Sequence, residues 1–205
     1  MPEDFLAAPP SAEAGVLPAH TGLRAVWRED LAIVNLRGDP ADAAFVAGAA
    51  AALGLALPLA PCTSTADAAM RVIWAGPDEW FVIGAPGQAD ALTAALRTAL
   101  ADTHHAVTDV SSGYTVLRLS GAATREVLAQ GCPIDLHSRA FGPSACAGSL
   151  FFKASVWLWR VGSDGDSFEL LVRRSFMGYV GLMLQRCTAE CGPAVQQLDP
   201  EKETA

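Results

Sequence analysis

The sequence predicts an α+β fold of mainly antiparallel sheets with helices packed on them. Three observations lead there. Strand-like runs come in pairs rather than alternating one by one with helices. Turn residues sit between the members of each pair. Four segments carry apolar residues at helical spacing. No tandem repeat of 20–50 residues is visible.

Residues 1–22 hold Pro2, Pro9, Pro10 and Pro18 among small residues and read as an extended arm. Leu31–Leu36 is a short apolar strand. Asp39-Pro40 pairs an N-cap with Pro at the first helical position, so a helix is expected to start there. Val46, Ala49, Ala50 and Leu53 share its apolar face, and Gly54 ends it. Arg71–Gly84 reads as a hairpin around Gly76-Pro77-Asp78-Glu79. Gln88–Ala101 is helical, with Leu92, Leu96 and Leu100 on one stripe. Val107–Val110 and Tyr114–Leu119 flank Ser111-Ser112-Gly113, which is a second hairpin or a sharp bend.

Ser120 is the expected cap of a helix over Ala122–Gln130, with Gly131 at its C-terminal end and Pro133 barring continuation. Asp135–Cys146 reads as a loop. Gly148–Val161 and Phe168–Arg173 form the most β-like pair, joined by Gly162–Asp166. Ser175 opens the last helix, with Phe176, Val180, Leu184 and Cys187 on one stripe. The expected organisation is thus an arm over 1–22, one domain over 23–191 and a polar tail over 192–205.

Composition narrows the function. A chain of 205 residues can bury about 70 % of its unfolded surface. Hydrophobic residues make up 51 % and charged residues 18 %, below the usual share of about 25 %. A surface so short of charge points to a partner. The net charge of −8 argues against nucleic acid and anionic membranes. No run of 18 apolar residues occurs. The nearest, Ala41–Leu59, is broken by Gly48, Gly54 and Pro58. The acidic start Met1-Pro2-Glu3-Asp4 is unlike a signal peptide, and the five cysteines form no C-x-x-C pair. A cytoplasmic protein is expected.

No nucleotide, zinc or nucleophile-elbow motif is present. His104 and His105 read as polar groups at a helix C-terminus. Cys132 or Cys146 with His137 is the only candidate thiol–imidazole pair. Cys187 and Cys191 lie four apart and read as small buried apolar residues. Arg173 and Arg174 end a strand. They can hold a carboxylate or phosphate, bind an acidic group of a partner, or stand in solvent. Trp157 and Trp159 share one strand face while Val156 and Leu158 share the other, so the strand is either central or docks a partner. Trp74 and Trp80 pose the same question. The interface candidates are Arg173, Arg174, Trp157, Trp159, Trp80 and Phe176, with no catalytic, cofactor-binding or metal-binding residue among them.

Several segments, in order, carry a resemblance. They are Gly76-Pro77-Asp78-Glu79-Trp80, Asp109-Val110-Ser111, Leu117-Arg118-Leu119-Ser120-Gly121, Gly131-Cys132-Pro133-Ile134-Asp135-Leu136-His137, Arg139-Ala140-Phe141 and Leu171-Val172-Arg173-Arg174-Ser175-Phe176. Over residues 71–185 the chain resembles the gamma subunit of heterotetrameric sarcosine oxidase, with weaker similarity from about residue 23. That family is similar in turn to the folate-binding domain of the glycine-cleavage T-protein, whose Asp-Val-Ser and Ser/Thr-Gly segments match Asp109–Ser111 and Ser120-Gly121. The T-protein domain places a folate-holding carboxylate on the following hairpin. The comparable stretch here, Phe152–Trp157, contains no acid, and a pterin needs an acceptor for its ring N–H groups.

The resemblance implies a non-catalytic accessory subunit that packs on alpha, beta and delta subunits. It implies FAD, FMN, NAD, tetrahydrofolate and zinc on those subunits and none on this chain, in a complex that oxidatively demethylates sarcosine to glycine. Two alternatives follow from the same resemblance: the small subunit of N-methylglutamate dehydrogenase, and a stand-alone folate-binding aminomethyltransferase-like protein.

Overall fold

The computed structural model describes residues 22–162 and 166–190. The expected arm (but for residue 22), residue 191, the expected tail over 192–205 and the centre of the 162–166 turn lie outside the described residues. Ten strands and four helices follow in the order β1 (Arg24–Arg28), β2 (Ala32–Gly38), α1 (Ala43–Leu53), β3 (Ser64–Ala66), β4 (Arg71–Gly76), β5 (Glu79–Gly84), α2 (Ala89–Ala99), β6 (His105–Asp109), β7 (Tyr114–Ser120), α3 (Thr124–Gly131), β8 (Cys146–Phe151), β9 (Ala154–Val161), β10 (Ser167–Arg173) and α4 (Met177–Glu190).

Two five-stranded antiparallel sheets result, in the orders β3-β4-β5-β2-β6 and β1-β7-β10-β9-β8. Their alternating side chains build three cores. In the first sheet Val34, Leu36, Val72, Trp80 and Val82 meet Phe45 and Ala49 of α1 and Leu92 and Leu96 of α2. In the second, Leu117, Leu119, Val156, Leu158 and Leu170 meet Val127 and Leu128 of α3 and Val180 and Leu184 of α4. The residues between those, Ile33, Ile73 and Phe81 on one side and Val116, Trp159 and Leu171 on the other, press the two sheets together. The layers therefore run helix, sheet, sheet, helix.

The two halves repeat one topology. The series β2-α1-β3-β4-β5-α2-β6 is matched by β7-α3-β8-β9-β10-α4, and β1 takes the place beside β7 that β6 takes beside β2. Each half is a split β-α-β unit with one extra edge strand. The second half borrows its final strand from the N-terminal end of the domain. The repeat begins at Ala32 and again at Tyr114, a period too long to show as a short tandem repeat.

Several boundaries differ from expectation. Helix α1 starts at Ala43, because Asp42 accepts the Ala44 N–H at 2.8 Å, while Asp39 turns the chain just before it by accepting the Ala41 N–H at 2.8 Å. Gly54, in left-handed conformation, ends it as expected. Ser111–Gly113 forms a tight 3₁₀ turn that hands the chain from the first sheet to the second, so β6 and β7 are not a hairpin. Ser120 caps nothing at α3, which begins at Thr124. There Gly121, at φ +110°, would place a Cβ 2.3 Å from the Gly22 carbonyl oxygen. The run Gly148–Val161 is two strands, turned at Phe152 and Lys153. A 3₁₀ turn over Arg174–Phe176 precedes α4. Strands β1 and β3 had no counterpart in the sequence reading.

Candidate functional site

The interface candidates separate into surface and core. Arg173, the last residue of β10, is exposed and lies with its guanidinium 5.2 Å from the centre of the Tyr114 ring. Phe176 follows in the 3₁₀ turn, 36 % exposed, with its ring edge-on to Tyr179 at 6.3 Å. Tyr179 accepts the Lys153 N–H at 3.3 Å, tying α4 to the β8–β9 turn. Leu150, 44 % exposed on edge strand β8, adds an apolar side chain near that turn. Trp157 is half-buried on the same sheet face, edge-on to Phe81 at 5.1 Å. The end of β10 and the β8–β9 turn thus gather Leu150, Trp157, Arg173 and Phe176 at one end of the second sheet.

The remaining candidates are not surface groups. Trp80 is fully buried under α1, with its indole N–H donating to the Pro58 carbonyl at 2.8 Å and its ring 5.7 Å from Phe45. Trp159 is fully buried between the sheets. Both are core residues and offer no side-chain surface to a partner. Arg174 is half-buried and is engaged within the chain: it donates to the Glu29 main-chain carbonyl and lies 3.4 Å from the Glu29 carboxylate. It fixes the β1–β2 connection rather than a partner's acid.

Beside Trp159 lies a polar cluster that sequence reasoning missed. Glu169 is 6 % exposed. Its Oε2 accepts the Trp159 indole N–H at 3.0 Å, and its Oε1 accepts from Arg28 at 2.8 Å. Arg71 donates to Ser64 Oγ at 2.8 Å and lies 5.9 Å from the Trp159 ring centre. Burial pulls the Arg71 guanidinium below its ordinary value, and the negative charge of Glu169 opposes that pull. Arg118 pairs in register with Glu169 across β7 and β10. Arg28, Arg71, Arg118 and Glu169 line a cavity of about 320 Å³ between the sheets, walled on its apolar side by Leu31, Met70, Ile83, Pro86 and Val161. The residues come from both halves of the chain, and Arg28 and Glu169 are 141 positions apart, so no local pattern announces them.

The other chemically suggestive residues have structural places. Ser111 Oγ accepts the Ile33 N–H at 2.9 Å, and Asp109 accepts both the Ser111 N–H and its hydroxyl. Asp109-Val110-Ser111 is therefore the joint between the sheets. Cys132 is buried 3.6 Å from Ser149 Oγ, while His137 is exposed and its Nδ1 accepts the Arg139 N–H at 3.2 Å. Cys146 is buried and donates to the Thr63 carbonyl at 3.0 Å, and burial pushes its thiol up to about 11. A protonated, enclosed thiol is a poor nucleophile. His105 Nδ1 sits 3.0 Å from the Thr103 carbonyl, just past α2. Cys187 is buried in the α4 core, as its helical stripe implies, and Cys191 lies outside the described residues. Among the described residues no helix is long and apolar enough to cross a membrane, and no group of three or more His, Cys, Asp or Glu is arranged to hold a metal ion.

Comparison with known proteins gives a consistent result. The model of the sarcosine oxidase gamma subunit family matches residues 37–190. The chain is 39 % identical over 144 residues to the sarcosine oxidase subunit gamma of Corynebacterium sp. strain P-1, covering 70 % of this chain and 68 % of that protein. In three dimensions it is similar to a chain of the heterotetrameric sarcosine oxidase of Corynebacterium sp. U-96, with a TM-score of 0.79 at 30 % identity, covering 90 % of this chain and 92 % of the other. It also shares its fold with the glycine cleavage system aminomethyltransferase T of Bartonella henselae, with a TM-score of 0.57 at 17 % identity over 82 % of this chain and 46 % of that one.

Proposed function

The chain belongs to the sarcosine oxidase gamma subunit family, and from that premise we propose that it is a non-catalytic subunit of a heterotetrameric sarcosine oxidase, docked through the end of β10. The observation that carries the docking face is the gathering of Leu150, Trp157, Arg173 and Phe176 around one sheet end. Aromatic, apolar and arginine side chains are the groups that dominate protein interfaces. Arg173, exposed and at the rim of this patch, suits an acidic residue of a partner.

In this reading the partners are alpha, beta and delta subunits. FAD, FMN, NAD, tetrahydrofolate and zinc reside on them, and the assembly demethylates sarcosine oxidatively to glycine in the cytoplasm. Residues 23–191 form the docking domain, with 1–22 an arm and 192–205 a tail. Two features support a subunit without its own chemistry. The β8–β9 turn, Phe152-Lys153, offers no carboxylate to a pterin. The Asp109–Ser111 segment is committed to joining the sheets.

The test is co-expression of the tagged chain with the other subunits and an absorption spectrum of what elutes. A complex with flavin bands and sarcosine turnover is expected. A colourless single chain would overturn the proposal. Turnover of N-methylglutamate in place of sarcosine would keep the subunit role and overturn the substrate.

A further inference from the structure

We propose that the cavity between the two sheets is a binding site for a small organic carboxylate of single negative charge, held by Arg118 and Arg71. Three guanidinium groups, of Arg28, Arg71 and Arg118, face it against two carboxylates, of Asp67 and Glu169. This local excess of one positive charge occurs in a chain of net charge −8, so it is a property of the cavity and not of the whole surface.

Among the described residues no carboxylate forms an ion pair with Arg71 or Arg118, and the charge of Glu169 reaches Arg71 only at longer range. Each oxygen of Glu169 accepts a hydrogen bond, one from Trp159 and one from Arg28. Asp67 accepts the Met70 and Ala69 N–H groups, which hold its carboxyl below the usual range. Arg71 has only a hydroxyl, Ser64 Oγ, as hydrogen-bond partner, and Arg118 forms no hydrogen bond or ion pair within the described residues. Arg118 is exposed and Arg71 is partly buried, and a planar carboxylate is the best-fitting partner of a guanidinium fork.

The walls define the rest of the ligand. Leu31, Met70, Ile83, Pro86 and Val161 suit an aliphatic body. A volume of about 320 Å³ is at the small end of ligand cavities. A phosphate dianion carries more charge than the excess here and would face the Glu169 carboxylate.

The full chain, with whatever subunits co-purify, is titrated with butyrate and separately with inorganic phosphate at matched ionic strength, following melting temperature and tryptophan fluorescence. Butyrate is expected to raise the melting temperature saturably and phosphate to do so at least about tenfold more weakly. Arg118→Gln should weaken butyrate about tenfold or more, and Arg118→Lys, which keeps the charge but not the planar fork, should fall between. No saturable response to butyrate, an equal response to phosphate, or unchanged binding in both variants would overturn the assignment.

Discussion

The Glu169 carboxylate is held at both oxygens, by the Trp159 indole N–H at 3.0 Å and by Arg28 at 2.8 Å. Trp159 is fully buried and Glu169 nearly so, so this pair pins β9 to β10 at the edge of the inter-sheet core. Glu169→Gln keeps an acceptor for one partner only and removes the charge that compensates Arg28 and Arg71. It should destabilise the chain by about 2–4 kcal/mol. Arg28 is 42 % exposed, so most of that loss belongs to the buried side of the cluster. Thermal unfolding of the variant checks this, and a change below about 0.5 kcal/mol, the size of an ordinary surface substitution, would contradict it.

The thiols provide a second test. Cys62 is exposed, while Cys132, Cys146 and Cys187 are buried. With Cys191 replaced by Ser, one thiol per folded chain should react with a chromogenic disulfide at neutral pH, and the rest only after unfolding. Cys146 adds a pH dependence. Its folded value of about 11 lies above the ordinary 9.0. Between those values the unfolded chain has lost the proton that the folded chain keeps, so stability falls as pH rises from 9 to 11, by about 2–3 kcal/mol at most. Cys146→Ala should flatten that part of the stability profile. A Cys146 that labels as fast as Cys62 would contradict the burial argument.

Adjacent arginines should behave differently. Arg174→Ala breaks the hold on Glu29 and should cost the isolated chain about 1–2 kcal/mol, the loss expected for charge-assisted hydrogen bonds in a half-buried place. Arg173→Ala removes an exposed guanidinium that lies over the Tyr114 ring and should cost about 0.5–1 kcal/mol. The order reverses for assembly, where Arg173→Ala should weaken the complex and Arg174→Ala should act only through stability. Urea unfolding of both variants, beside their yield of complex, separates the two roles. An equal loss of stability in both would contradict the division.

Local pattern made much of this fold readable. The stripe Leu92, Leu96 and Leu100 identifies α2, and the Gly76–Glu79 turn identifies the β4–β5 hairpin, because each signal is complete within a dozen residues. Strands β1 and β3 escaped because they are short and mix polar with apolar residues, as in Arg24–Arg28. The change of sheet at Ser111–Gly113 escaped because β6 and β7 each pair with distant strands, β2 and β1. Trp157 and Trp159 have the same strand-face pattern, yet only Trp159 sits where the sheets overlap fully. The arginine cavity was invisible for the same reason: Arg28, Arg71, Arg118 and Glu169 meet only when both halves have folded.

The end of β10 is the surface we propose to dock this chain on its partner subunits. The most direct measurement is co-purification of the Leu150→Glu, Phe176→Glu double variant with co-expressed partners, beside a circular dichroism melt of the variant alone. Both side chains are exposed, at 44 % and 36 %, so the variant should fold and melt close to the parent chain. Charge buried at an interface core costs several kcal/mol, so the flavin-bearing complex should be lost. A variant that folds normally and still recovers the complex in full yield would contradict the account.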